Sequence, residues 1–513
     1  MMVLKGLLTG IRDRTLREHK NMGRGQKFID WCDKAMAFSF YALIYFLPIS
    51  IALSETFTGL ALLFYIFKRL SSFFICVSQR GKQEACVNWF ISFLSFFKPP
   101  ASDLNAPIWI FLLFNLISVI FSRYPVLSIE GFLGKALQST FLYFNFIEAI
   151  NSKKRLRKFL VAFLVSATLI SINGLYQYFV GKDFIHGHLV YDGRISSSFR
   201  AHNDFAAYLI VIIPIFLSLS VLSTITGVKR SLASGKEQVF SFFVSWWGKV
   251  QIFMVFALSL VCLGLTFSRG AWIALAFTLL ILSARKRRYI IANLLVLILF
   301  FNFFYPQLKE TRQVRLMVDT VLNDAALDQR EKELYPKSAP ESAAVVEPEH
   351  EAKKLNVFQA YVEKFKSIRF FGGSGRTEYW REAIHMIRDY PVFGIGLNTY
   401  SVVGKGYKIT WGGYPHNCYL QMAVETGILG LLSFLWLLGV IFNKSFRNLG
   451  SVKDPFLSLL LLGSLIGLAG FLVHSFFDTN FYSVQLGSFM WLVMGLIVAI
   501  QKIDRSDKIE ENN

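Results

Sequence analysis

The sequence predicts an all-α polytopic membrane protein with about 12 transmembrane helices and one large loop on the outer side. Hydrophobic residues make up 54% of the 513 residues, and the chain contains 52 phenylalanines. Apolar runs of about 17–25 residues recur along it, and each is long enough to cross a hydrocarbon core of about 30 Å as a helix. A soluble chain of this length would instead divide into domains whose elements carry polar faces.

The predicted spans fall into two groups separated by a long polar loop. Nine lie within 35–305, at 35–53, 56–77, 107–122, 132–150, 159–180, 205–226, 251–267, 270–284 and 289–305. Three lie within 427–500, at 427–442, 455–475 and 483–500. In the intervening loop, 306–426, the charged stretch 326–355 has a composition typical of a mobile segment. The apolar stretch 86–97 is too short to span and is predicted to be interfacial.

The basic residues predict the orientation. They cluster in five short loops, at 78–106, 151–158, 227–250, 285–288 and 443–454. All five fall on one side of the predicted bundle, as cytoplasmic loops do. The basic N-terminal segment 1–34 and the tail 501–513 are then cytoplasmic, and loop 306–426 lies outside. This distribution accounts for the net charge of +20, so we predict membrane lipid rather than nucleic acid as the surrounding partner.

Several arginines are predicted on the outer side, against the usual charge bias. Arg269 follows one span and begins the next with almost no loop, a depth at which a charge usually marks a site. The alternative is that its side chain extends to lipid phosphates. Arg194 and Arg200 lie in the outer loop 181–204, where they could serve as a site or simply be solvated.

The fourth outer arginine, Arg376, begins a helix predicted over 376–389. A periodic stripe is formed there by Trp380, Ile384 and Ile387. Arg376 shares the stripe of Trp380, so it is expected to face the protein. One guanidinium group can donate two parallel hydrogen bonds to the oxygens of a phosphate. Converging arginines therefore predict a phosphate or pyrophosphate ligand.

His416 is the candidate general base. Asn417 is a good helix N-cap, which places His416 just outside a helix start. The positive end of the helix dipole disfavours imidazolium, and a neutral histidine can accept a proton. The alternative is a histidine that only bonds loop carbonyls. His202 is interpreted as structural, and so is His474, which lies one helical turn from Asp478 and could pair with it.

The outer loops contain no Asp-x-Asp motif and no His, Cys or carboxylate set with metal spacing. We therefore predict metal-independent chemistry with no cofactor. The five cysteines are scattered, without metal or redox spacing.

Ordered outer residues over about 190–480 resemble the O-antigen ligase and O-antigen polymerase superfamily of bacterial envelope enzymes. The matching pieces are Arg194, Phe199, Asn203-Asp-Phe-Ala-Ala-Tyr-Leu, Ser268-Arg269-Gly-Ala-Trp272, Arg376, Trp380, Asp389-Tyr-Pro-Val-Phe-Gly394-Ile-Gly396, His416-Asn417, Leu420-Gln421, Glu425-Thr-Gly427, His474 and Asp478. The sequence departs from the family pattern at Arg200 and His202, and in the charged stretch 326–355.

The resemblance implies a glycosyltransferase of the bacterial inner membrane with its active site at the periplasmic face. The donor it implies is a glycan on undecaprenyl pyrophosphate, and the acceptor is a sugar hydroxyl of the lipid A core or of another glycan. As a hypothesis, His416 is the catalytic base of an inverting displacement. Arg194, Arg200, Arg269 and Arg376 would bind pyrophosphate, with Asn203, Asn417, Trp380, His474 and Asp478 in support.

Three alternatives to a ligase remain at this point. An O-antigen polymerase would join lipid-linked repeats with the same motifs, although the late, long loop ending at His416 looks more like ligases. A small-anion transporter would need polar residues along its spans, and these spans are rich in Phe, Leu and Ile. An inert scaffold would leave the outer arginines unexplained.

Overall fold

The structure is a computed structural model. It describes residues 23–79, 98–220, 240–285, 290–291, 293–307, 376–407 and 413–512. The predicted interfacial piece 86–97 and the charged stretch 326–355 lie outside these residues. Within them the chain is helical, and the only β pairings are two isolated bridges, Lys182 with Leu189 and Tyr191 with Arg194.

The helices follow one another in the order of the predicted spans. They are α1 (Arg24–Phe46), α2 (Ile51–Gln79), α3 (Asn105–Ile120), α4 (Pro125–Gly131), α5 (Gln138–Ala149), α6 (Lys153–Val180), α7 (His202–Ser220), α8 (Ser241–Val244), α9 (Trp246–Leu265), α10 (Arg269–Arg285), α11 (Asn293–Gln307), α12 (Arg376–Asp389), α13 (Tyr400–Val403), α14 (Cys418–Asn448), α15 (Pro455–His474) and α16 (Val484–Asn512). A π-helix, Phe132–Leu137, joins α4 to α5.

Seven of the described helices are long and apolar enough to cross a membrane: α2, α6, α7, α9, α14, α15 and α16. Three shorter apolar helices, α3, α10 and α11, add to the bundle. The prediction of a polytopic α-helical membrane protein is therefore confirmed. The count of about twelve spans and the outer location of the long loop stay predictions.

Three boundaries differ from the sequence prediction. The first two helices are separated at Leu47–Ser50 rather than at 54–55, because Pro48 has no N–H with which to continue α1. Helix α1 begins at Arg24, inside the predicted basic segment 1–34. The predicted span 427–442 lies within α14, which begins earlier, at Cys418, as the Asn417 cap predicts; the apolar-run criterion passes over its first turns because they carry the polar residues Gln421 and Glu425.

The centre of the bundle is the packing of α15 against α7. Along α15 the small residues Gly463, Gly467 and Gly470 face α7, and a Cβ built on them would lie 2.4–2.8 Å from atoms of the neighbouring helices. Small residues at such positions let two helix backbones approach closely, which is how helices associate in lipid. Helix α15 is consequently a buried axis whose 20 residues extend about 30 Å.

The two ends of α15 carry different chemistry. At its start, Asp454 caps the helix and its side chain pairs with Lys153 at 2.8 Å. Nearby basic side chains pair with acids: Lys68 with Asp33 and Glu148, Arg69 with Glu148, and Arg155 with Asp33. We call this the basic end. The other end, where α15 finishes at His474, is called the site end and carries the candidate active site.

At the site end α14 is kinked at Gly427, whose φ of 71° lies in the left-handed region. The segment that follows α12 crosses this kink. Its backbone N–H groups at Ile395 and Gly396 donate to the carbonyls of residues 424 and 425, at 2.9 and 3.0 Å. A Cβ at Gly427 would lie 2.0 Å from the carbonyl oxygen of Val392. Only glycine therefore allows the two segments to come this close.

Candidate active site

His416 is the candidate base, and it lies at the site end immediately before α14. Its φ of 46° turns the chain sharply into α14. The next residue, Asn417, caps that helix by accepting hydrogen bonds from the N–H groups of Tyr419 (3.0 Å) and Leu420 (3.1 Å). The predicted N-cap is therefore confirmed. Since His416 precedes the cap, its ring lies outside the helix, with 41% of the side chain exposed.

Asp478 orients the ring of His416. Its Oδ1 lies 3.2 Å from Nδ1 of His416. Burial on its own would raise the pKa of Asp478, but the hydrogen bond from His416 and the nearby charges of His474 and His416 lower it to about 2. Because an ionised carboxylate only accepts hydrogen bonds, Nδ1 carries the proton in this contact. In the neutral ring Nε2 is then an unprotonated acceptor.

The expected pairing of His474 with Asp478 is therefore replaced by a pairing of His416 with Asp478. Helix α15 ends at His474, so Asp478 no longer lies one helical turn away on the same face. His474 is instead buried, with Nδ1 accepting from Asn480 at 2.9 Å and Nε2 lying 3.4 Å from the hydroxyl of Ser268. The turn after α15 thus connects the pair to the segment that precedes Arg269.

The turn that carries Asp478 is fixed directly to the start of α14. The backbone N–H of Cys418 donates to the carbonyl of Ser475 at 2.9 Å, and its Sγ donates to the carbonyl of Asp478 at 3.2 Å. Cys418 is fully buried. These contacts join the start of α14 to the turn after α15, so His416 and Asp478 cannot separate without the breaking of a buried hydrogen bond.

Arg194 is presented by a loop anchored on α6. Gln177 accepts hydrogen bonds from the N–H groups of Ser196 (2.8 Å) and Ser197 (2.7 Å), which fixes the chain just after Arg194. The guanidinium then donates to Nε2 of His202 at 3.0 Å. Since His202 accepts this hydrogen bond, its ring is neutral at that nitrogen. Arg194 and His202 therefore act as one unit at the site end.

Arg376 and Trp380 lie on the helix predicted over 376–389, which is confirmed with the same bounds as α12. Trp380 donates from Nε1 to the carbonyl of Pro415 at 2.7 Å and so fixes α12 to the residue before His416. Arg376 is half-buried, and its charge acts on both His202 and His474. The buried face of α12 is formed by Ala383 and Met386, whereas Ile384, which was predicted on that face, is exposed.

The other two arginines are placed less centrally. Arg269 begins α10 immediately after Ser268, and its side chain is exposed. The following Gly270 packs against Phe477, close to the turn of Asp478. Arg200 is exposed, and in the described part of the chain no side-chain hydrogen bond or ion pair is found for Arg200 or Asn203. The structure therefore brings Arg194 and Arg376 together with the histidines, but gives no such contact for Arg200.

Sequence reasoning missed the polar cluster of Lys135, Asn398 and Glu425. Lys135 donates to Asn398 Oδ1 at 2.6 Å, and the backbone N–H of Asn398 donates to Glu425 Oε2 at 3.0 Å. A usable signal was present, because Lys135 is an ionisable residue inside the predicted span 132–150, where a charge is a site candidate by default.

The helices and their spans define a polytopic α-helical membrane protein. Within it, residues 254–435 match the family described as O-Antigen ligase. This part of the chain is similar to the O-Antigen ligase family, and the superfamily resemblance is confirmed. The matched residues include Arg269, Arg376 and His416, whereas Arg194 and Asp478 lie outside the match. No curated protein matches the chain.

Proposed function

We propose that the protein is an O-antigen ligase-like glycosyltransferase of the bacterial inner membrane. It transfers a glycan from undecaprenyl pyrophosphate to a sugar hydroxyl of the lipid A core at the periplasmic face. The observation that carries the proposal is the His416–Asp478 pair, which leaves Nε2 of His416 as a proton acceptor. The charges of Asp478, Arg194 and Arg376 all act on His202, which groups these residues at the site end. The match of residues 254–435 to the O-Antigen ligase family supports a lipid-linked glycan as the substrate.

The proposal includes a topology. About twelve spans cross the membrane, both termini are cytoplasmic, and 306–426 is the large periplasmic loop. The lysines and arginines at the basic end support this orientation, because cytoplasmic ends of membrane proteins are enriched in them. On this reading α15 separates the cytoplasmic ion pairs from the reaction by the thickness of the hydrocarbon core.

In the proposed reaction Nε2 of His416 takes the proton of the acceptor hydroxyl. The oxygen attacks the anomeric carbon of the donor sugar as the bond from that carbon to the pyrophosphate oxygen breaks. Undecaprenyl pyrophosphate leaves with the bonding electron pair, and a single displacement inverts the anomeric configuration. Asp478 stabilises the imidazolium that forms, in the manner of the acid in a hydrolase triad.

Arginine charges in the proposed reaction offset the charge that develops on the leaving pyrophosphate. Arg376 is the first candidate, because Trp380 of the same helix is hydrogen-bonded beside His416. Arg194 and Arg269 would bind the remaining oxygens, with Arg200 at the rim. Removing one such charge stabiliser commonly costs about 10²–10³ in rate. The reaction as proposed needs no metal and no cofactor.

The test is glycan transfer in proteoliposomes that contain the lipid-linked donor and a lipid A core acceptor. His416→Ala should abolish transfer at a normal level of folded protein, and Arg376→Ala should weaken donor binding. Matched controls are His385→Ala and Arg388→Ala, because both residues are exposed on α12. Near-normal transfer by His416→Ala would contradict the base assignment.

The envelope glycan profile of a deletion strain separates the ligase from an O-antigen polymerase. A ligase deletion should leave the core without polymer while lipid-linked polymer accumulates. A core that carries a single repeat would instead indicate a polymerase and would overturn the acceptor named above.

A further inference from the structure

A second group of polar side chains lies at the site end, apart from the His416–Asp478 pair. Asn398 is its centre, with Lys135 donating to its side chain and Glu425 accepting from its backbone N–H. The charges of Lys135 and Glu425 attract each other across this residue. Glu425 is 1% exposed, and its other carboxylate oxygen accepts from Gln421 at 3.2 Å. We call these three residues, Lys135, Asn398 and Glu425, the Asn398 bridge.

The Asn398 bridge is not easily explained as a source of stability. Moving two charges out of water costs free energy that their attraction rarely exceeds, and apolar replacements of such pairs are often neutral or stabilising. The local backbone also departs from regular geometry. Lys135 lies in a π-helix, and Asn398 has a φ of 63° in the left-handed region. Both departures are uncommon and are concentrated at functional sites.

The position of Asn398 links the bridge to the candidate active site. Asn398 lies near the end of the segment that follows α12. A Cβ built on Gly131 would lie 2.6 Å from the Cβ of Asn398, so α4 leaves Asn398 no room to move. Helix α12 is thus fixed at two points. Trp380 fixes its first half to Pro415, and the Asn398 bridge fixes the chain beyond its C-terminal end to α14.

The bridge also reaches the turn that carries Asp478. Nζ of Lys135 lies 5.0 Å from the ring centroid of Tyr482, a cation–π arrangement. Tyr482 closes the short 3₁₀ turn Asn480–Tyr482, directly after Asp478. Lys135 therefore contacts both the segment that follows α12, the helix of Arg376, and the turn that follows Asp478.

We propose that Lys135 and Glu425 are positioning residues that set Arg376 and the His416–Asp478 pair at their working separation. The inference rests on the proposed function, since it assigns Arg376 to the leaving pyrophosphate and His416 to the acceptor hydroxyl. Neither Lys135 nor Glu425 touches substrate in this scheme. Misplacement of reacting groups by about 1 Å can cost about 10²-fold in rate, so this separation matters.

The test compares Glu425→Gln, Lys135→Met and the double variant that carries both changes. The glutamine oxygen can still accept the N–H of Asn398, so the first variant removes charge while keeping shape. The double variant leaves no unpaired charge and should recover folded yield, because Glu425 is buried and Lys135 half-buried, and removing only one partner of such a pair leaves the other charge uncompensated. Lys153→Met is the matched control, since it breaks ion pairs with Asp454 and Asp507 at the basic end.

Two quantities are measured for each variant: turnover per folded protein, and the distance between spin labels at His385→Cys on α12 and Phe476→Cys, an exposed position in the turn that carries Asp478. Cys76 and Cys86 are replaced by serine for the labelling. We expect turnover to fall about 10- to 100-fold. The fall in kcat should be larger than the change in the KM for the donor. We also expect the distance distribution to broaden, and both effects to persist in the double variant although its folded yield recovers.

A purely structural role would give the opposite pattern. The double variant would then recover native turnover and a narrow distance distribution together with its yield, and the proposal would be overturned. The label distance is measured without substrate. Failure of the glycosyltransferase proposal would therefore appear as a native protein without transfer activity whose Lys135 and Glu425 variants still broaden the distance distribution, which is distinct from failure of the positioning role. Lys153→Met should lower yield only.

Discussion

Replacement of Asp478 by asparagine tests how the candidate base is prepared. Asparagine has the size of aspartate, so the turn after α15 is retained, but the amide cannot stabilise an imidazolium by charge. Its NH2 group can also face Nδ1 of His416, and this would move the ring proton to Nε2. Loss of the carboxylate charge makes protonation of the ring less favourable. A shift of the proton leaves His416 without an unprotonated Nε2.

The structure sets the size of the effect. General acid–base catalysis contributes about 10²–10⁴ in rate. The contact between Nδ1 and Oδ1 is 3.2 Å long and the His416 side chain is 41% exposed, so water can partly replace the carboxylate. We therefore expect the lower end of that range, a loss of about 10²-fold in kcat with donor KM little changed.

The assay is glycan transfer by Asp478→Asn, His416→Ala and the double variant, each normalised to folded protein. If Asp478 acts through His416, the double variant should be no slower than His416→Ala, because residues that act as a unit are non-additive. Thr479→Ala is the control, since only the backbone N–H of Thr479 contacts Asp478. Independent, multiplying losses would refute the reasoning.

Two stability predictions follow from the same region. Gly427→Ala should cost about 1–3 kcal/mol, because the residue has a φ of 71° and a Cβ would meet the Val392 carbonyl; Gly439→Ala in the same helix, where a Cβ meets nothing within 4 Å, should be neutral or stabilising in thermal unfolding. The pKa of Asp478 is lowered to about 2, so its stabilising contribution should be complete above about pH 4 and vanish as the pH falls through about 2. Unfolding curves of the native protein and Asp478→Asn should therefore differ at pH 6 and converge near pH 2, and a difference that grows on acidification would contradict the assignment.

Much of the fold could be predicted because a hydrocarbon solvent imposes a simple rule on sequence. Each spanning helix must be long and apolar, and the predicted apolar runs that the structure describes lie mainly in helices, although the run 35–53 is broken at Leu47–Ser50. The boundaries were misplaced where a helix contains polar residues, because the prediction followed apolar runs. The start of α14 carries Gln421 and Glu425, so its first turns look like loop although the Asn417 cap begins a helix there.

The site was predictable as far as the type of a residue and its neighbours in sequence indicate its chemistry. A histidine before an N-cap and arginines outside the basic loops are visible in a single sequence. Partners were not visible, because they are set by packing between distant segments. Asp478 was expected to pair with His474 four residues away, yet it lies beside His416, 62 residues away along the chain.

The sequence by itself determined a polytopic helical frame, the bounds of α12 and the capped helix start after His416. Those features depend on local composition and on hydrogen bonds within a few residues. The tertiary structure alone decided which groups meet: Asp478 with His416, Arg194 with His202, and Lys135 with Asn398 and Glu425. These pairs depend on how α15 packs against α7 and how the segment after α12 crosses the Gly427 kink, and no local pattern encodes that geometry.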